Sequence, residues 1–72
     1  MVTVNLSLFD VVSKKDWYRD IVKMEVLPRI GDELAYDDGT PFLKIFRVVQ
    51  VLHYVNLPNQ PIQVVANRDI GD

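Results

Sequence analysis

Hydrophobic and polar residues alternate cleanly at the start of the chain. Val2, Val4, Leu6 and Leu8 share one parity, and Thr3, Asn5 and Ser7 share the other. A period of two puts each set on its own face of an extended chain, so the pattern predicts a half-buried strand. Phe9 and Val11 fall out of phase with it. A bulge or the strand end is therefore expected near residues 8–10.

The longest apolar run is 42–55, rich in β-branched and aromatic residues and bounded by turn signals. Fully extended, it would reach roughly 46 Å at about 3.3 Å per residue. A compact domain of this length is only about 30 Å across. The run must bend, and sharply bent strands are how small barrels close. Phe42, Lys44 and Phe46 share one face, and Leu43, Ile45 and Arg47 the other. The alternation slips around Val48 and Val49. Beyond it, Val49, Val51, His53 and Val55 share a face opposite Val48, Gln50, Leu52 and Tyr54. Both faces are then largely apolar, although a small barrel hides only its inner one. The outer face needs a cover: segment 13–24, a second copy of the chain, or a different partner.

Segment 13–27 fits two patterns. As a helix it has Ser13 as N-cap and Asp16 three residues on, with Trp17, Tyr18, Ile21, Val22 and Met24 on one side. Lys14 and Lys15 in the first turn oppose the helix dipole. As a strand, Tyr18, Val22, Met24 and Val26 share a face interrupted by Asp20. The compromise is at most one or two helical turns within 14–20, then a strand over 21–27.

Pro28 ends that strand, and Gly31 and Asp32 suit a turn. Leu34 and Tyr36 alternate with Glu33, Ala35 and Asp37 in a short strand. Asp38-Gly39 is a two-residue hairpin signal leading through Pro41 into the long strand. Residues 56–61 form a loop, with Pro58-Asn59 suited to the centre of a β-turn. The last strand is expected at 62–66, and the chain is expected to fray from Asn67. The expected organisation is one domain over 1–68 with 69–72 as a frayed tail.

The sum is an all-β fold with at most one short helical turn: a small, five-stranded, bent antiparallel barrel. The loop Pro28-Arg29-Ile30-Gly31-Asp32 entering a hairpin, followed by a long bent strand, resembles the SH3-like small barrels in outline. The resemblance implies a fold and carries no function.

Composition narrows the chemistry. Seventy-two residues make one domain that buries about 60–65% of its unfolded surface, so its stability is marginal without help. With no cysteine there is no disulfide framework, which points to a reducing cytoplasm. The apolar run at 42–55 carries Lys44, Arg47, Gln50 and His53, so it does not read as a membrane span. Residues 14–29 hold five cations against three anions, whereas 32–38 hold four anions and no cation. The basic excess is too small for a nucleic-acid footprint.

Candidate chemistry is sparse. His53 is the sole histidine, and no second ligand stands at metal-binding spacing. Asp32, Glu33, Asp37 and Asp38 lack the periodicity of a calcium loop. Ser7 reads as an outward strand residue and Ser13 as a cap, so neither makes a nucleophile beside His53. Asp37 and Asp38 read as hydrated turn residues rather than an acid–base pair. Three scattered glycines make no phosphate cradle. The expectation is therefore a non-enzymatic module with no cofactor, metal or small-molecule substrate.

Two surfaces remain. Trp17, Tyr18, Val49, Val51, His53 and Tyr54 are the candidate interface for a protein partner or a homo-oligomer. Phe46 with Lys44 and Arg47 is the alternative, a stacking platform for single-stranded nucleic acid. The acidic balance of the chain works against the latter.

Overall fold

In a computed structural model, which describes residues 1–68, the chain is all-β and contains no helix among those residues. Its five strands are β1 (Val2–Asp10), β2 (Lys15–Met24), β3 (Glu33–Tyr36), β4 (Lys44–Leu52) and β5 (Ile62–Arg68). They form one sheet in the order β2-β1-β5-β4-β3. The small five-stranded fold expected from the sequence is present as a curled half-barrel.

The pairing is mixed rather than wholly antiparallel. β1 runs antiparallel to β2, and β4 antiparallel to both β3 and β5. β1 and β5 are parallel at the centre of the sheet, from Val4 opposite Ile62 to Asp10 opposite Arg68. Parallel neighbours cannot be joined by a tight turn. The chain makes that connection through β2, β3 and β4, which end up on both flanks of the central pair.

The alternation of β1 sets the core. Val4, Leu6 and Leu8 are buried on the inner face with Val64 and Ala66 of β5 and Phe46 and Val48 of β4. Val2, Trp17, Tyr18, Val22, Met24, Leu34 and Val51 pack around them. The segment between β2 and β3 returns across one end of the curl, with Leu27 against the core and Pro28 buried. Gly31, at φ 97°, turns it back so that its N–H donates to the Val48 carbonyl at 2.9 Å.

Four further expectations are corrected. First, no helical turn lies within 14–20, because β2 starts at Lys15 and runs unbroken to Met24. The Asp10 carboxylate, and not Ser13, organises the turn before it. Asp10 Oδ1 accepts from the Val12 N–H at 2.9 Å and the Ser13 N–H at 3.2 Å. Lys14 closes the turn at φ 55°. The bulge expected near Leu8 is real, and Trp17 is the extra residue: Leu8 pairs with Tyr18 but Phe9 with Asp16. That extra residue puts Trp17 and Tyr18 together on the core side, which imitates a helical pattern in the sequence.

Second, the long run becomes a strand only over Lys44–Leu52. It bends where the alternation slips: Val48 pairs with Ala66 and Gln50 with Val65, leaving Val49 as the bulged residue. Third, Asp38-Gly39 lies inside a longer loop and not in a two-residue hairpin. The Asp37 carboxylate accepts from the Gly39 N–H, and that of Asp38 from Thr40, so these groups bond locally instead of extending the ladder. Pro41 has no N–H to offer it. Fourth, β5 continues through Asn67, which pairs with Phe9 and Arg47, to Arg68. The tail expected at 69–72 lies outside the described residues.

Candidate functional site

Two features of the fold are left open. The first is the seam of the half-barrel. β2 and β3 are the ends of the sheet order, and side chains from both line one cleft inside the curl. At one end of the seam Tyr18 meets Tyr36, with ring centroids 5.5 Å apart. Along the rest lies a cleft of about 350 Å³, floored by Leu6 and Leu8 and walled by Val22, Met24 and Leu34.

The second is the outer face of β4. Ile45 is 41% and Val49 45% exposed, with Val11 beside them. Glu33, Arg47 and Asn67 frame a shallow depression of about 230 Å³ over this patch. Segment 13–24, one of the three expected covers, lies in the plane of the sheet as β2 and leaves the patch bare.

The sequence-predicted interface is not one surface. Trp17 and Tyr18 are half-buried and packed on the core. The Lys15 ammonium lies 4.8 Å from the Trp17 ring centroid, and Trp17 Nε1 is buried without an acceptor. Val51 also packs inward, while Val49 is outside on the bulge. His53 and Tyr54 lie beyond the end of β4, and the Tyr54 hydroxyl donates to Gln63 Oε1 at 3.2 Å. Val49 is thus separated from Val51, His53 and Tyr54, which the alternation had placed around the same stretch. The bulge turns Val51 to the inner face, and the end of β4 at Leu52 leaves His53 and Tyr54 outside the ladder.

The residues of the alternative platform also part. Phe46 is fully buried, so its ring is not offered for stacking. Lys44 is half-buried on the Phe46 side of β4, and Arg47 is exposed on the other side. The sequence reading passed over Ile45 and Val11 as surface apolar residues. The signal for Ile45 was present, since it alternates with buried Phe46.

The titration behaviour is local. Asp10 is held below the ordinary carboxylate value, chiefly by the Ser13 N–H, with the Val12 N–H and the nearby Arg68 charge adding to it. Asp38 is lowered by the Thr40 hydroxyl and N–H. Both are turn-forming carboxylates whose bonds favour the charged form. Among the described residues, no three or more His, Asp or Glu side chains gather as a metal site requires. No helix of the described residues is long and apolar enough to cross a membrane. No protein-family model, curated protein or solved structure matches this chain.

Proposed function

We propose that this chain is a non-enzymatic protein-interaction module that assembles with copies of itself, in the cytoplasm. The observation that carries the reading is the outer face of β4, bare among the described residues: segment 13–24, which would have covered it, is instead an edge strand. A wider imbalance supports it. Among the described residues fourteen large hydrophobic side chains are exposed and seven hydrophobic residues form the buried core. Scattered exposed apolar residues are ordinary. Here they outnumber the core, and in a chain this small an interface supplies the burial that the fold lacks.

The lack of cysteine fits a reducing compartment. Single-stranded nucleic acid is the weaker partner, because the ring that would stack on a base is buried and the cations around it are divided between faces.

The test is Ile45→Asp beside the native chain. Association should weaken while thermal unfolding at low concentration is little changed, since Ile45 contributes little to the core. Unchanged association would remove the outer face of β4 from the interface. A fluorescent oligonucleotide titrated at low salt should show no binding; salt-dependent binding would favour the nucleic-acid reading instead.

A further inference from the structure

The two edges carry opposite charge at the same spacing. Groups now bonded locally exchange partners when such edges pair: Arg19 with Asp16 at 3.5 Å, the Ile21 N–H with Asp20 Oδ1 at 2.7 Å, and the Gly39 N–H with Asp37 Oδ1 at 2.9 Å. On the outer face of β2, Arg19 and Lys23 flank Ile21. On the outer face of β3 lie Glu33 and Ala35, and Asp37 follows the last residue of the strand with its carboxylate on the Gly39 N–H. All six are exposed.

Resting on the self-association in the reading above and not on the outer face of β4, which this pairing leaves exposed, we propose that the chain assembles head to tail, the β2 edge of one copy pairing antiparallel with the β3 edge of the next. One register sets Lys23 opposite Glu33, Ile21 opposite Ala35 and Arg19 opposite Asp37. Face parity is kept, because those of these residues that lie in β2 and β3 are on the outer side of their own sheets. The pairing lengthens rows already present within each copy. Glu33 is opposite Arg47 and Ala35 opposite Ile45, so the outer rows become Lys23-Glu33-Arg47 and Ile21-Ala35-Ile45. The first alternates in sign, and the second is apolar from end to end. On the inner face the same register sets Val22 opposite Leu34. Asp20, a carboxylate on the inner face of an edge strand, falls opposite Tyr36.

Several pairings of like edges are disfavoured, whereas the β2–β2 register centred on Val22, which sets Arg19 opposite Glu25, and the β3–β3 register centred on Leu34 oppose no like charges. Antiparallel β2–β2 registers centred on Arg19, Asp20 or Ile21 oppose Arg19 to itself, Asp20 to itself, or Arg19 to Lys23. The β3–β3 register centred on Ala35 opposes Glu33 to Asp37 twice. Like charges directly opposite destabilise a strand pair, and matched ones stabilise it. Closure of the seam within one chain does not explain the match either. There Tyr36 sits against Tyr18, two residues from the Asp20 it faces in the matched register. Because β2 and β3 are the two ends of one curled sheet, the contact either repeats along a filament or closes a ring, the smallest being a two-copy barrel with two β2–β3 seams.

The experiment compares native chain, Lys23→Glu, Glu33→Lys, the double variant and an equimolar mixture of the two single variants, by sedimentation equilibrium at low salt. Each single reversal should weaken association by about tenfold or more, and the double variant and the mixture should regain it. Single reversals that associate like the native chain would overturn the edge pairing and leave self-assembly through another surface standing. A native chain that is monomeric throughout, with reversals changing only its melting temperature, would overturn both. Circular dichroism checks that each variant folds. Should one fail, the salt series on the native chain decides: the matched charges require association to fall as salt rises, and a salt-insensitive assembly would overturn the pairing.

Discussion

Trp17 and Phe46 meet with ring centroids 6.4 Å apart and planes inclined at 65°. They belong to β2 and β4, which are separated in the sheet by both β1 and β5. Their contact therefore spans the curl instead of following the ladder. It holds the half-barrel in its bent form, and edge-on aromatic geometry favours it beyond the area buried. Phe46→Ala should cost about 3–5 kcal/mol, a large part of the stability of a domain this size. Trp17→Ala should cost less, since Trp17 is only half-buried. Urea unfolding followed by circular dichroism reads both. Loss of stability ahead of any loss of association would identify Trp17 as a packing residue.

The bulge in β4 separates two neighbouring valines. Val48 is 1% exposed and Val49 45% exposed. Val48→Ala should destabilise by about 2 kcal/mol or more, combining lost burial with a cavity. Val49→Ala should stay within about 0.5 kcal/mol, as surface changes do. Equal effects in chemical denaturation would contradict the bulge.

Among the described residues, the two non-glycine residues with positive φ, Lys14 and Asn56, both lie in connections between strands. Lys14 has φ 55° without the freedom of a glycine. Lys14→Gly should stabilise the turn by about 0.5–1 kcal/mol, the left-handed cost being lifted against some gain in chain entropy. At Gly31, φ 97°, a Cβ would meet nothing within 4 Å. Gly31→Ala should still cost about 1–2 kcal/mol, from backbone conformation alone. Thermal melts of the two variants should move in opposite directions.

Asp10 links stability to acid pH. Its folded pKa lies below the ordinary value of 3.8, so the charged form is favoured by folding. The contribution is fully present above that value and is lost as pH falls through the lower, folded pKa. Asp10→Asn keeps an acceptor oxygen for the turn but cannot titrate. Its stability should therefore fall less steeply than the native chain's below about pH 4, with the two profiles parallel near neutrality.

How far the sequence disclosed the fold depended on where each residue packs. The alternation from Val2 to Leu8 was plain because β1 is central, with one face on the core. The bend at Val48 and Val49 showed as a slip in phase. β2 was obscured by its own position: an edge strand tolerates Asp20 on the inner face, and the bulge at Trp17 adds a residue that mimics helical spacing. The parallel β1–β5 pair has no local signature, since partners such as Leu6 and Val64 are distant in the chain. β5 was cut short because Asn67 and Arg68 are polar, yet they complete the ladder beside Phe9 and Asp10. The surface was legible only in part. The sequence indicated that the outer face of β4 needs a cover, but the charge match between β2 and β3 required knowing that both are edges.

The central claim is that the uncovered surface of this chain is closed by association. The most direct measurement is the mass of the native chain by light scattering on a sizing column, across a concentration series. The account predicts a species that grows from the 8.3 kDa monomer toward a multiple of it as concentration rises. A mass that stays at 8.3 kDa throughout the series would contradict it.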